Sequence, residues 1–451
     1  MIISEILKQF DEQSIALQTL DETIKFGDLL AVSSDLNVEN FIGLRVVISL
    51  SRVEAVIKAV TLLDGVAAAI IFISHTLSPE ASLELAHAGR ADVILADLPR
   101  HAGGANLIAA VDNIKSLQDY RTRAGLGERV TTQWIMATSG TTGAPKLVAH
   151  SLASLCRTTK LNPQMFPVSW ALLYDHSRFA GIQVVLQSLL SGAKLTVPDY
   201  NMSLSEKICF FSRVDCTHAS STPTMWRNII MLPEARAWNL RSISLGGEIA
   251  DGHVLECLKK FYPNARITHI FASTEAGVGF SVTDGKQGFP ASYLSSPPSG
   301  IQLKISESRL FIRNSEVQGA YVGSNACFKD HDNWVDTGDV VQEVGDRIHF
   351  VGRENGLINV GGNKVMPEVI EAALLVHPSV AGAHVFSKSN PFSGSVVAAN
   401  VVLRSNDKDP LEVKKSIFNH LSQCLEAFQI PAIISIVDTI PLNSAGKVIR
   451  K

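Results

Sequence analysis

The sequence predicts an α/β protein: a large N-terminal domain of parallel sheets covered by helices plus a β-rich subdomain, then a small α+β C-terminal domain. Three observations carry that prediction. Short continuous apolar runs alternate with longer mixed segments through the first half, the mark of parallel strands buried on both faces. From Gly300 the texture changes to hairpin signals. Near Gly352 a polar linker, Gly352-Arg353-Glu354-Asn355-Gly356, leads into a segment of about 100 residues with its own helices and strands. At 451 residues the chain exceeds one ordinary domain and suffices for a large core.

Taken in order, 44–51 reads as a strand, 53–63 as a helix and 68–73 as a strand. A helix over 79–88 and a strand over 92–96 follow. Further on, strands at 171–174 and 194–197 bracket a helix over 182–190. Strands at 241–245 and 266–271 bracket another over 252–261. Leu303-Lys-Ile, Arg309-Leu-Phe-Ile-Arg and the Gly345-Asp346 turn mark the hairpins. The last segment shows a helix over 367–376, a strand over 395–403, a helix over 410–425 and a strand over 432–437.

Composition excludes several classes. Hydrophobic content of 46% with 18% charged residues describes a globular chain, not a disordered one. Forty basic against 43 acidic residues offers no electrostatic reason for a nucleic-acid or anionic-membrane partner. The apolar run Val66 to Ile73 is too short to span a bilayer and reads as a buried strand. The N-terminus lacks the basic head and small-residue cleavage site of a signal peptide. Six scattered cysteines without a C-x-x-C pair read as reduced thiols, so a cytoplasmic enzyme is expected. The 13 histidines show no H-E-x-x-H or similar metal spacing.

The chemistry is concentrated in Thr138-Ser139-Gly140-Thr141-Thr142-Gly143-Ala144-Pro145-Lys146, where six of nine residues are Gly, Ser or Thr. Backbone N–H groups and hydroxyls without side-chain bulk, with a lysine at the far end, suit the wrapping of a polyphosphate. Walker spacing is not met: two residues instead of four separate the glycines, and Leu147 follows the lysine. Alone, the stretch also fits a solvated Gly/Ser/Thr turn, the less frequent reading. It resembles the phosphate loop of the adenylate-forming superfamily, which contains acyl-CoA synthetases, carrier-linked adenylation domains and luciferase. Four later segments match that family's pattern in the same order.

Phe271-Ala272-Ser273-Thr274-Glu275 resembles the family's adenine and magnesium segment. The resemblance implies Phe271 stacked on adenine, Thr274 at the α-phosphate and Glu275 on Mg²⁺, a hard ion that takes carboxylate and phosphate oxygens. The family usually has Tyr-Gly where this chain has Phe271-Ala272, so a methyl enters the acyl pocket. Gly246-Gly247-Glu248 would line the adenine, at the strand end where open α/β sheets bind ligands. Asp339, in Trp334-Val-Asp-Thr-Gly-Asp339, would accept hydrogen bonds from the ribose hydroxyls, and Arg353 would contact the nucleotide. Asn355 falls at the hinge, where the family usually carries Asp or Lys; Asn tolerates unusual backbone dihedrals. In Pro441-Leu-Asn-Ser-Ala-Gly-Lys447, Lys447 matches the catalytic lysine that enters between carboxylate and α-phosphate.

Tyr174-Asp175-His176-Ser177-Arg178-Phe179-Ala180-Gly181 lies at the substrate-gating segment, and its readings stay open. Asp175 binds a substrate amino group, as in amino-acid adenylation domains; or His176, Phe179 and Gly181 form the acyl- and aryl-CoA ligase version; or Asp175 pairs locally with Arg178. Trp226 is either a pocket wall or core. The resemblance implies a domain of residues 1–353 for nucleotide and acid, and a mobile domain of 354–451 carrying Lys447. It implies an AMP-forming acid–thiol ligase acting on a small carboxylic acid with ATP and Mg²⁺. The acceptor is coenzyme A, or the phosphopantetheine of a separate carrier protein. Four residues follow Lys447, so no fused carrier domain is expected. The N-terminal part is short for the family, which leaves a homodimer surface as an open expectation.

Overall fold

Helix starts are written into the sequence as capping residues. Ser78, Thr222, Asp251 and Asp409 each accept a backbone N–H from the first turn, and proline opens the helices after Ser78, Thr222 and Asp409. Ser203 and Glu206 form a reciprocal capping box. The computed structural model describes residues 2–31, 38–97, 107–110, 130–138, 146–159, 167–324, 326–360, 362–390, 394–405, 409–442 and 447–448.

Three sheets build the N-terminal part. The first has eight strands, ordered Gly277–Val282, Arg266–Ser273, Ser242–Gly246, His218–Ser221, Ser169–Leu172, Lys194–Thr196, Ile15–Gln18 and Thr23–Lys25. Its six inner strands are parallel and its two edges antiparallel. Helices Leu204–Arg213, Pro223–Met231 and Gly252–Phe261 cover one face around Phe211, Trp226 and Trp238. Trp226 is fully buried there and its indole N–H donates to the Ser244 carbonyl at 2.9 Å, so it is core and not pocket wall.

The second sheet has seven strands and a parallel centre. Four strands, Gln133–Ala137, Ala69–Phe72, Arg45–Ser49 and Val93–Ala96, are parallel. Leu147–His150 runs antiparallel to Gln133–Ala137, because the stretch 138–146 between them is shorter than a parallel crossover requires. Arg157 from the end of the next helix, Leu152–Cys156, reaches the carbonyls of Val278 and Gly279 in the first sheet. The third sheet, five antiparallel strands, contains the hairpin Val335–Val344 and Arg347–Arg353, whose turn glycine Gly345 has φ +62°.

After Gly356 come a small hairpin, the helix Pro367–Val376, and a three-stranded sheet of Val380–Asn390, Gly394–Leu403 and Ile433–Ile436. The strand Val380–Asn390 has no counterpart in the sequence reading. Its Ala381-Gly382-Ala383 start has low strand propensity, and pairing with Gly394–Leu403 decides its state. The helix expected over 410–425 ends at Leu421. Among the described residues no helix is long and apolar enough to cross a membrane.

Candidate active site

The strands of the first sheet end at one cavity of about 2270 Å³, bounded on its far side by the C-terminal segment. The antiparallel turn in the second sheet brings the two ends of the Gly/Ser/Thr stretch to this cavity. Thr138 N–H donates to the Lys146 carbonyl at 2.7 Å, and Lys146 N–H donates to Thr138 Oγ1 at 3.3 Å. Ser139, Gly140, Thr141, Thr142 and Gly143 lie outside the described residues. Lys146 Nζ sits 4.7 Å from the centre of the Tyr321 ring, and the Tyr321 hydroxyl donates to Glu275 Oε1 at 3.5 Å. Burial, then the Glu275 charge, pushes the Tyr321 phenol up to about 12, which keeps it protonated and a donor. Tyr321 is a site residue that the sequence reading missed. It stands in a two-residue strand with no motif around it and reaches the site by pairing with Val148.

The segment 271–275 lines the same cavity. The Phe271 ring lies nearly parallel to Phe280 and Phe350, at centroid distances of 5.2 and 5.4 Å, so an adenine here joins an existing aromatic group. Ala272 packs against the adjacent apolar core, and Ser273 Oγ accepts from Ala276 N–H at 3.0 Å as the strand ends. Beside Thr274, buried behind the cavity lining, lies His150. Burial lowers its pKa to about 4, partly offset by the Thr274 backbone, so the imidazole is neutral at pH 7.

At the neighbouring strand end, Glu248 joins distant parts of the chain. Its Oε2 accepts from Thr224 N–H at 3.1 Å and its Oε1 from Val448 N–H at 3.3 Å. That second bond brings Lys447 over Gly247, which has φ +82°; a Cβ on Gly247 would lie 2.9 Å from Lys447 Cε. Lys447 is half-buried, with Glu248, Arg353, Asp339 and Glu275 around it. Burial lowers its pKa, Glu248 chiefly opposes this, and Arg353 adds to it. Arg353 Nε donates to Asp339 Oδ1 at 3.1 Å and its second nitrogen to the Thr337 carbonyl at 2.9 Å. Burial raises the Asp339 carboxyl, against the pull of Arg353. Thus Gly246, Gly247, Glu248, Asp339, Arg353 and Lys447 share one cavity.

Among the described residues no group of three or more His, Cys, Asp or Glu is placed to hold a metal. Glu275 alone is a donor set that suits Mg²⁺ when nucleotide phosphates supply further oxygens.

The gating segment requires two corrections. His176 does not face the cavity: its Nε2 meets the Leu50 carbonyl at 2.9 Å and its ring lies against His75. Gly181 is also absent from the lining. A Cβ there would lie 2.0 Å from the Asp175 carbonyl oxygen, so the residue serves close packing at the start of the helix Phe179–Leu190. Asp175, Arg178 and Phe179 do line the cavity. The Asp175 carboxylate is already engaged: Oδ1 accepts from Ser177 N–H and Oγ at 2.9 and 2.6 Å, and Oδ2 from Ser74 Oγ at 3.1 Å. Arg178 Nε lies 3.9 Å away. This favours the local pairing over an amino-group site. Asn355 lines the cavity from the 3₁₀ turn Glu354–Gly356 without adopting a left-handed backbone.

Residues 45–316 match the family model described as AMP-binding enzyme, and 369–447 match its C-terminal domain. The chain belongs to the AMP-binding enzyme family. Among relatives, it is 27% identical over 349 residues to oxalate–CoA ligase of Saccharomyces cerevisiae, covering 70% of this chain and 62% of that protein. It is 27% identical over 343 residues to 2-succinylbenzoate–CoA ligase of Bacillus licheniformis, covering 70% and 68%. The chain thus spans less than two thirds of the first of these. An anthranilate–CoA ligase solved with anthranoyl-AMP has a TM-score of 0.79 at 17% identity, covering 99% of this chain and 95% of that one. An o-succinylbenzoate–CoA synthetase of Bacillus subtilis, solved with ATP and magnesium, has a TM-score of 0.73 at 19% identity, covering 99% and 98%. The fold of this AMP-binding enzyme is therefore that of adenylating ligases from end to end.

Proposed function

We propose that this AMP-binding enzyme is an AMP-forming acid–thiol ligase. It joins a carboxylic acid to ATP as an acyl-adenylate, releasing pyrophosphate, and then transfers the acyl group to coenzyme A, releasing AMP. The observation that carries this reading is Lys447, held by the Val448–Glu248 bond in the cavity at the sheet ends, beside Gly247. The names of the relatives as CoA ligases support coenzyme A as the acceptor.

In the first step a carboxylate oxygen attacks the α-phosphorus and the bond to the pyrophosphate oxygen breaks. Two anions must meet, and the Lys447 ammonium is a compact charge suited to lie between them. Asp339, oriented by Arg353, accepts from the ribose hydroxyls, while Phe271 and Phe350 offer faces to the adenine. The loop from Thr138 to Lys146 encloses the phosphates, and Tyr321 aligns Glu275, which would hold Mg²⁺. When bound, that ion supplies neutralising charge to the triphosphate. In the second step the thiol sulfur attacks the acyl carbonyl, AMP departs and the thiol proton is released. Residues 354–451 act as a mobile domain, with Asn355 as the hinge that withdraws Lys447 to admit the thiol.

ATP–pyrophosphate exchange across fatty, aryl, amino and dicarboxylic acids tests this, followed by thioester analysis with coenzyme A. Exchange that depends on one class of acid and is lost in Lys447→Ala supports the proposal. A Lys447→Ala variant that keeps full exchange refutes the lysine's role, and no exchange with any class refutes the reaction.

A further inference from the structure

Alternate residues of the first sheet point to opposite faces. On one face Ala219, Ile243, Leu245 and Ile267 belong to the core under Trp226. The residues between them are polar and line the cavity, and the parallel register places them in rows. Gly246 pairs with Ile270 at the nucleotide end. One step deeper stand Ser220, Ser244 and Thr268, and another step deeper His218, Ser242 and Arg266. Trp170 extends the deepest row beside His218. Four residues of strand separate the first row from the last, about 13 Å.

The cavity's other lining runs along one helix. Ala180, Gln183, Val184 and Gln187 recur at three- and four-residue spacing on Phe179–Leu190 and all line the same cavity. Seven residues of helix cover about 10 Å, close to the depth of the sheet rows. The sheet side of this lining is therefore a polar trough leading away from the adenylation point. Thr268 Oγ1 is buried without a hydrogen-bond partner among the described residues. An alkyl chain laid here would leave such groups unpaired. At the far end neither Arg266 nor Arg241 forms a salt bridge among the described residues. Both guanidinium charges act on His218, which burial and those charges hold at about 4, so the local charge is positive.

We propose that the acid activated here is an elongated polar acid with a second anionic group at its far end, bound by Arg266 at the far, solvent-facing end of this trough. This rests on the ligase reading and names its substrate class. Thr268, Ser244 and Gln187 meet hydrogen-bonding groups along the body of the acid, and Arg266 sets its length and charge.

The test pairs α,ω-dicarboxylates of six to ten carbons with monocarboxylates of equal length, suberate with octanoate for example. Pyrophosphate exchange is read beside calorimetric binding in the presence of a non-hydrolysable ATP analogue. At least one diacid should be preferred tenfold or more over its matched monoacid. Arg266→Leu should remove that preference mainly through KM, with partial recovery in Arg266→Lys. Arg266 is exposed, so neither substitution disturbs the core. Preference for monoacids, failure of every diacid to bind, or an undiminished diacid preference in Arg266→Leu overturns the proposal. Diacid binding lost in Arg266→Leu but without exchange upholds the trough and overturns the ligase reading.

Discussion

Replacing Gly247 by alanine separates the position of Lys447 from its chemistry. Gly247 has φ +82°, so any side chain costs about 1–2 kcal/mol of backbone strain. The added Cβ would stand 2.9 Å from Lys447 Cε and 3.5 Å from Nζ. The carbon it meets is the far end of a flexible side chain, so the clash is relieved by moving the lysine, at little further cost in stability. A reacting group displaced by about 1 Å loses about 10²-fold in rate. The expected result is a loss of about that size in ATP–pyrophosphate exchange, with melting temperature reduced by a few degrees. Thioester formation from supplied acyl-adenylate should stay within about threefold of wild type, because the lysine has no part in it. Stopped-flow or quench measurements of the two half-reactions read this directly. Equal losses in both half-reactions, or undiminished exchange, would refute the assigned place of Lys447.

Lys447→Ala should remove adenylation more completely than Gly247→Ala, again sparing thioester formation; equal loss in both would show a structural role instead. The Lys447 pKa lies below its ordinary 10.5, so exchange should decline on the alkaline side at lower pH than an exposed lysine would dictate, and Lys447→Arg should move that limb upward. The sign for stability follows: between the lowered and ordinary values the unfolded chain binds the extra proton, so this group's contribution rises with pH there. His150 acts in the same sense at acid pH. Its folded pKa of about 4 lies below 6.5, so its contribution is lost as pH falls from 6.5 toward 4, up to about 3 kcal/mol. His150→Gln should flatten urea midpoints between pH 7 and 5; an unchanged slope would assign the acid sensitivity elsewhere. Asn355→Pro fixes one backbone dihedral in the turn Glu354–Gly356 and should slow thioester formation more than adenylation. Unchanged turnover would place the hinge elsewhere.

Several elements were legible because their signals are local. The helix Val53–Leu63 and the helix Gly252–Phe261 have the bounds read from the sequence, since apolar spacing is local to each segment and Asp251 caps the second. Val380–Asn390 was not legible, because its strand state depends on a partner and not on its own composition. The two errors in the gating segment share one cause. A motif states which residues stand together, but a turn entering a helix sends neighbours to opposite sides. His176 therefore meets Leu50 while Arg178 and Phe179 reach the cavity. Tyr321 gave no warning, since it enters the site through a strand pairing with no local pattern.

By itself the sequence determined the family and the order of its two matched segments. Loop composition, strand-end glycines and the terminal lysine are properties of contiguous residues. Only the tertiary structure decided that Lys447 lies against Gly247, that Asp175 is already engaged, and that the deep rows of the first sheet form a polar trough. Those facts depend on register and on contacts between segments as many as 200 positions apart. Such contacts are set by the packing of the whole chain, which no local run of residues encodes.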